Sequence, residues 1–156
     1  LNRQTNCTFG QNISGKNLQM EGLETDKIMV YADRDLMNQV VYNLIENAVK
    51  FVNPEGVISF RYHSDSKMVY IAIRNTGEGL DNEEIPRLFD RFYKSDRSRS
   101  LNKNGVGLGL HIVRSIINYH QGEVVVRSAH GEYTEFEIAI PNMKLPREEA
   151  ARLMNT

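Results

Sequence analysis

Apolar residues recur at helical spacing over residues 36–52 and predict the longest helix of the chain. With successive residues about 100° apart around the helix axis, they form one apolar stripe. Its members are Leu36, Met37, Val40, Val41, Leu44, Ile45, Ala48 and Val52. Asp33 stands where an N-cap residue is expected, and Pro54 cannot continue a helix. We therefore expect the helix to begin after Asp33 and to end near Val52.

Shorter runs of apolar and polar residues elsewhere predict β-strands. The ranges with this pattern are 16–21, 27–31, 56–63, 67–74, 122–128 and 133–140. Two more helices are expected, a short one over 82–89 and a longer one over the residues that follow Leu110. These elements predict an α/β fold, a two-layer sandwich whose mixed, mainly antiparallel sheet is covered on one face by about three helices.

The composition is that of an ordinary globular protein of about one domain. The chain has 156 residues, of which 40% are hydrophobic and 25% charged, and its formal net charge is -1. That balance argues against a nucleic-acid partner. Cys7 is the only cysteine, so neither a disulfide framework nor a paired-cysteine metal site is expected, and an intracellular setting is the natural default. No apolar run approaches the roughly 18 residues of a membrane span.

A row of polar side chains lies along the shoulder of the predicted long helix. Asn43, Asn47 and Lys50 are spaced so that one bound group could touch all three. We interpret the row as the floor of a nucleotide-phosphate site. The alternative is that these are half-solvated boundary positions of an ordinary amphipathic helix.

A glycine turn follows the predicted strand 67–74 directly. Gly77 and Gly79 lie in this turn, at a place where backbone often approaches a ligand closely. The alternative is a plain turn into the short helix.

A polar loop over 93–104 leads to a second glycine run. The loop carries the basic residues Lys94, Arg97, Arg99 and Lys103 against one acid, which favours a lid over phosphates, although a solvated loop is the default interpretation. Gly105, Gly107 and Gly109 then precede the second long helix, where free amide groups and the helix dipole favour an anion.

Two familiar phosphate motifs are excluded. No Gly-x-x-x-x-Gly-Lys string is followed by Ser or Thr, which rules out a Walker-type loop. A dinucleotide fingerprint is also ruled out, because Leu110 stands where its third glycine would be.

The motifs in their order resemble those of the catalytic ATP-binding domain of bacterial sensor histidine kinases, within the superfamily of gyrase and heat-shock chaperone ATPases. The strings that match are Asn43-Leu44-x-x-Asn47-Ala48-x-Lys50 (the N box), Asn75-x-Gly77-x-Gly79 (the first glycine box), Phe89-Asp90-Arg91-Phe92-Tyr93 (the phenylalanine box), Gly105-x-Gly107-Leu108-Gly109-Leu110 (the second glycine box) and Thr134-x-Phe136 (the closing segment). The resemblance covers roughly residues 25–141 and implies a Bergerat-type ATP-binding fold.

The resemblance also implies a cofactor set and a role for each matched position. ATP would bind with Mg²⁺, and Asn47 would be the protein ligand of the metal, with Asn43 near the phosphates or the water shell of the metal. The cations that would offset phosphate charge are Lys50, Lys94, Arg97 and Arg99. The resemblance also implies uncharged residues that contact the nucleotide. These are Ala48, Asn75, Gly77, Gly79, Leu80, Leu88, Tyr93, Gly105, Gly107, Leu108, Gly109, Leu110 and Thr134.

The residue at position 43 separates the branches of this superfamily. Hydrolysing members carry a glutamate there as the base for water, whereas an amide cannot take a proton. Asn43 therefore favours a kinase that donates the γ-phosphoryl group to a histidine on a separate domain. None of the four histidines in the chain has the acidic neighbour and downstream proline of a phosphoacceptor motif, so we expect the chain to bind ATP without phosphorylating itself.

The resemblance finally implies a larger parent protein. Residues 1–24 would be a lead-in with the first strand, partly a linker to a dimerisation and phosphoacceptor domain; residues 25–141 would be the catalytic domain, and 142–156 a tail. The expected parent is a homodimer associated with the bacterial inner membrane, with this domain on the cytoplasmic side and a response regulator as partner.

Two positions depart from the family pattern. Asn75 replaces the usual aspartate that accepts a bond from the adenine amino group, and Tyr133 stands where glycine is frequent. We expect the uncharged amide to bind adenine less tightly or less selectively than a carboxylate would. The alternatives are an anti-sigma-type serine kinase and a nucleotide-sensing module that transfers nothing; a true ATPase is disfavoured by Asn43.

Overall fold

A computed structural model describes residues 18–22, 30–94 and 109–142. Within these ranges the elements, in chain order, are β1 (Gln19–Glu21), α1 (Arg34–Phe51), β2 (Val57–Ser64), β3 (Met68–Thr76), a 3₁₀ turn (Ile85–Arg87), α2 (Gly109–Tyr119), β4 (Glu123–Ala129) and β5 (Tyr133–Pro141). No helix in this part of the chain is both long and apolar enough to cross a bilayer.

The five described strands form one sheet in the order β1-β2-β3-β5-β4. β1 pairs with β2 in parallel, and the other three pairs are antiparallel. The prediction of a mixed, mainly antiparallel sheet in an α/β fold is therefore confirmed.

The predicted boundaries of the long helix are confirmed. The Asp33 carboxylate accepts a hydrogen bond from the Leu36 amide over 2.9 Å, which satisfies one of the free donors at the helix start. At the other end Val52 is extended, and its amide donates to the Ala48 carbonyl. The buried face of α1 consists of Met37, Val40, Leu44, Ile45, Ala48 and Val49.

The core lies between the two helices and one face of the sheet. Phe60, Ile73 and Phe136 are register partners across β2, β3 and β5, and all three are buried. Phe89, from the segment after the 3₁₀ turn, meets Phe136 edge to face with ring centroids 6.3 Å apart. This contact packs the phenylalanine-box segment against the centre of the sheet.

α1 and α2 run antiparallel and are connected near both ends of α2. At one end the His120 ring accepts a hydrogen bond from the Asp33 amide over 2.9 Å, while its other nitrogen lies 2.8 Å from the Ile116 carbonyl oxygen. A ring that accepts at Nε2 and donates at Nδ1 is neutral. At the other end the Asn43 side chain contacts the Gly109 carbonyl. Polar contacts thus fix how the two helices lie against each other.

The outer face of the sheet carries a cluster of charges around Glu135, which is only 1% exposed. Its carboxylate bonds Arg61 at 2.5 Å and Arg74 at 3.0 Å, and Arg127 lies 3.5 Å away. Burial raises the pKa of Glu135, but the hydrogen bonds and charges of Arg61 and Arg74 outweigh it and hold that pKa below its ordinary value. We call these four residues the Glu135 cluster.

One predicted helix is wrong, and one predicted strand is incomplete. Instead of a helix over 82–89 the chain forms turns and the short 3₁₀ segment, because Pro86 lacks the amide that an α-helix needs and its ring would collide with a carbonyl one turn earlier. Val30 and Tyr31, the described end of the predicted strand 27–31, are not in a strand. Residues 1–17, 23–29, 95–108 and 143–156, and the predictions that fall on them, lie outside the described residues.

Candidate functional site

A cleft opens between α1, the start of α2 and the segment that follows β3. Nine of the candidate site residues line it: Asn47, Asn75, Gly79, Leu80, Leu88, Tyr93, Lys94, Leu110 and Thr134. Phe51, Glu84 and Phe136 complete the lining. Residues distant in the sequence thus meet in one concave site.

Asn75 and Thr134 lie side by side at one end of the cleft, which we call the base end. They are register partners on β3 and β5, and each is at most 6% exposed. The Asn75 amide nitrogen donates to the Thr76 carbonyl over 3.1 Å. That bond uses one of the two N–H groups of the amide, so the oxygen and the second N–H are what Asn75 can offer to a ligand.

The first glycine box is held from one side by the hairpin formed by β4 and β5. The Gly131 amide donates to the Glu78 carbonyl over 2.6 Å, and the Gly77 amide donates to the Glu132 carbonyl over 3.1 Å. At Gly79 the backbone has φ 72°, and a Cβ atom would lie under 3.0 Å from the Ala129 carbonyl oxygen. Both the positive φ and the close approach require glycine at this position.

The same turn is held from the other side by the end of α1. The Thr76 hydroxyl donates to the Asn53 side chain over 2.6 Å and accepts from the Val57 amide over 2.9 Å. The Asn53 amide donates to the Thr76 carbonyl over 3.2 Å. The end of β3 is therefore fixed against the loop that leaves α1, and so are Asn75 and the glycines after it.

Two lysines mark the other end of the site. Lys94 lines the cleft, and Lys50 lies one helical turn beyond Asn47. Burial lowers the pKa of Lys50, the positive charge of Lys94 lowers it further, and Glu46 partly opposes both. Two ammonium groups close enough to repel each other favour a ligand with several negative charges between them. We call this the phosphate end.

Tyr93 and Glu84 are held at the rim of the cleft. The Arg87 guanidinium lies over the Tyr93 ring, 4.7 Å from its centroid. One Glu84 oxygen accepts from the Asp81 amide over 3.0 Å, within the turn that starts the phenylalanine-box segment. Glu84 is the only carboxylate among the described lining residues.

Five described candidates are not among the lining residues. Asn43 contacts the start of α2, Ala48 is buried in the core beneath the cleft, Lys50 lies beside it, and Gly77 faces the Phe51 carbonyl. Gly109 is the exposed first residue of α2. Arg97, Arg99, Gly105, Gly107 and Leu108 lie outside the described residues.

The described part of the chain contains no group of three or more His, Cys, Asp or Glu side chains that could hold a metal ion. A metal at this site would therefore take few protein ligands. The residues fit a small hard cation held mainly by phosphate oxygens and water, with the Asn47 amide oxygen as the protein contribution.

A cleft of this kind, between two helices and a mixed sheet and closed by a glycine turn, defines a class of ATP-binding domains. The chain belongs to the family of histidine kinase-, DNA gyrase B- and HSP90-like ATPases, whose sequence model matches residues 32–144. Within that family its fold is that of the catalytic domains of histidine kinases.

Individual relatives agree with this assignment. The chain is 39% identical over 109 residues to the sensor protein SrrB of Staphylococcus aureus, which spans 70% of this chain but only 19% of that protein. The catalytic domain of the histidine kinase ThkA superposes with a TM-score of 0.74 at 26% identity, covering 91% of this chain and 92% of ThkA's. A structure of ThkA in complex with the response regulator TrrA matches with a TM-score of 0.71 over 90% of this chain and 39% of that one; at 23% identity this match concerns the fold alone.

Proposed function

We propose that this chain is the ATP-binding catalytic domain of a sensor histidine kinase, and that it donates the γ-phosphoryl group of ATP to a histidine on a separate domain of its parent. The observation that carries the proposal is the single cleft in which Asn47 and Lys94 meet Asn75 and Thr134. This arrangement has a cationic end for a triphosphate and a buried polar end for a base.

Mg²⁺ is part of the proposal. Asn47 would hold the ion through its amide oxygen, and the bound ion would neutralise charge on the transferred phosphoryl group. The residues of the chain would then contribute mainly by binding and orienting the nucleotide. Lys50 and Lys94 would bind the phosphates, the glycine turn would fix the base end, and a nucleophile from another domain would accept the γ-phosphoryl group.

Asn43 supports transfer over hydrolysis. Its amide donates to the Gly109 carbonyl and has no basic group with which to activate water. Glu84 is the carboxylate to test as an alternative base, although one of its oxygens is already bonded to the Asp81 amide.

The partners and the setting follow from the parent that we propose. The curated relatives are about five times as long as the segment they share with this chain. We propose that residues 25–141 form the catalytic unit, 1–24 lead from a dimerisation and phosphoacceptor domain, and 142–156 form a tail. The parent would be a homodimer at the bacterial inner membrane, with this domain in the cytoplasm. A response regulator would receive the phosphoryl group, as the complex of ThkA with TrrA suggests by analogy.

The first test is binding of ATP by titration calorimetry with Mg²⁺ and with EDTA. Asn47→Ala should abolish the Mg²⁺-dependent part, whereas Asn38→Ala, an exposed asparagine on the same helix, should leave it unchanged. Binding of Asn47→Ala at wild-type strength would show that the site is elsewhere.

The second test is phosphoryl transfer. With labelled ATP the full-length parent should acquire acid-labile phosphate on histidine, and this chain alone should neither label itself nor release phosphate steadily. Steady release that is lost in Glu84→Gln would instead show a hydrolase.

A further inference from the structure

Ser128 lies where the β4–β5 hairpin meets the glycine turn, and its hydroxyl contacts both. The oxygen accepts a hydrogen bond from the Leu80 amide over 2.8 Å, and the hydroxyl donates to the Tyr133 carbonyl over 2.7 Å. It also lies 3.4 Å from the Thr134 hydroxyl. None of the sequence motifs contains Ser128. Two of its three partners, Leu80 and Thr134, line the cleft.

The single proton of the Ser128 hydroxyl decides which group donates in its contacts with Tyr133 and Thr134. A serine hydroxyl has one proton, and that proton is used on the Tyr133 carbonyl. The Thr134 hydroxyl must therefore be the donor in its contact with Ser128, which leaves the Thr134 oxygen to accept from the cleft. Asn75, its neighbour, also offers its amide oxygen as an acceptor, while one N–H of its amide is bonded to the Thr76 carbonyl.

We propose that Ser128 is a positioning residue for nucleotide recognition, acting through Leu80 and Thr134. It holds Leu80, which lines the cleft, against the β4–β5 hairpin. It also orients the Thr134 hydroxyl so that the oxygens of Thr134 and Asn75 can accept hydrogen bonds at the base end. Such an end matches a base that carries an amino group and disfavours one that carries a carbonyl oxygen there. This inference rests on the proposed function, since it takes the cleft to be the ATP site.

The test compares nucleotide binding by the folded chain and by Ser128→Ala. Affinity for ATP should fall about tenfold, which corresponds to the loss of one hydrogen bond, the one that holds Leu80 in place. Affinity for GTP should fall less, because the freed Thr134 hydroxyl can rotate and donate. Affinity for inorganic tripolyphosphate should stay the same. Equal loss for ATP and GTP would overturn the inference, since a merely structural role weakens both alike.

Two further variants keep the inference testable if Ser128→Ala folds poorly. Ser128→Thr keeps the hydroxyl and should retain the preference for ATP over GTP. Thr134→Val keeps the side-chain shape without the hydroxyl and should lose that preference. A Thr134→Val protein that keeps the wild-type ratio of ATP to GTP affinity would overturn the orientation argument.

The control is Ser115→Ala on α2. The Ser115 hydroxyl also donates to a backbone carbonyl, that of His111, over 2.9 Å, but the residue is exposed and does not line the cleft. Its nucleotide affinities should match those of the wild type. A wild-type chain that binds no ATP would defeat the proposed function, whereas ATP binding that Ser128→Ala leaves intact would defeat only the role of Ser128.

Discussion

The side-chain amide of Asn43 on α1 donates a hydrogen bond over 3.4 Å to the carbonyl oxygen of Gly109, the first residue of α2. The position at which hydrolysing relatives carry a glutamate is therefore used here to connect two helices. A carboxylate could not make this bond, because it has no proton to donate at neutral pH. The residue that we propose to disfavour hydrolysis therefore also contributes to the contact between α1 and α2.

Asn43→Asp should destabilise the contact between the helices. The variant loses a hydrogen bond and places a negative charge against a carbonyl oxygen, so the free energy of unfolding should fall by about 1 kcal/mol. Chemical denaturation measures this, with Asn38→Asp on the exposed side of α1 as the control. Equal effects of the two substitutions would mean that the Asn43 contact does not contribute.

ATP affinity should depend on pH through Lys50. Burial and Lys94 lower the pKa of Lys50 below its ordinary value of 10.5, and bound phosphate favours the charged form. Affinity should therefore be constant near neutral pH and decline as the pH rises through the lowered pKa, with proton uptake on binding in that range. Calorimetry in buffers of different ionisation enthalpy measures the uptake.

Lys50→Arg provides the matched comparison, because arginine stays charged throughout this range. It should remove the pH dependence, whereas Lys67→Arg, on an exposed residue outside the cleft, should leave the dependence intact. A pH profile that is unchanged in Lys50→Arg would assign the effect to another group.

Asn75→Asp should increase the affinity for adenine and the preference for ATP over GTP, and it should lower the stability of the fold. A charged acceptor binds an amino group more tightly, so the ratio of ATP to GTP affinity should rise several-fold. The carboxylate cannot donate to the Thr76 carbonyl, and the free energy of unfolding should fall by about 1 kcal/mol. Competition binding with both nucleotides measures the ratio.

Asn142→Asp separates the two effects. Asn142 also donates to a backbone carbonyl, that of Asp65, over 3.0 Å, but it does not line the cleft. It should lose stability while its nucleotide affinities stay unchanged. If Asn75→Asp changes neither affinity nor preference, Asn75 does not contact the base.

Gly79→Ala should cost more stability than Gly131→Ala. Both glycines have positive φ, 72° and 78°, so both substitutions carry the strain of about 1–2 kcal/mol that a side chain meets there. A Cβ atom at Gly131 meets nothing within 4 Å, whereas one at Gly79 would collide with the Ala129 carbonyl. The free energies of unfolding of the two variants should therefore differ by the cost of the collision between the new Cβ atom and the Ala129 carbonyl. Only Gly79→Ala should also weaken ATP binding.

The fold could be predicted from the sequence where local pattern and tertiary packing agree. α1 has both an apolar stripe and capping signals at its ends, and the strands of the β2–β3 hairpin alternate clearly. The prediction of a short helix over 82–89 was wrong because Pro86 has no amide proton for an α-helical hydrogen bond, and the segment forms a 3₁₀ turn instead.

The candidate site was only partly predictable for a related reason. Phe51 is the last residue of α1, Phe136 belongs to a core-facing set on β5, and Ser128 is a serine within a strand. Phe51 and Phe136 line the cleft because distant segments meet there. The closing-segment motif contains Phe136 but did not indicate that its side chain reaches the cleft, and no motif contains Phe51 or Ser128. Glu84 gave a weak signal, an acid three residues after Asp81 at a turn, which is typical of a reciprocal cap.

The Glu135 cluster occupies the outer face of the sheet with ion pairs that are internal to the domain. Its three arginines are already bonded to or paired with one buried carboxylate, so a partner that docked on the outer face of the sheet would compete with bonds that the sheet makes with itself. The helical face carries the opening of the cleft instead. If the parent is the one that we propose, its other domains are therefore expected to dock on the helical side, leaving the sheet turned toward the solvent.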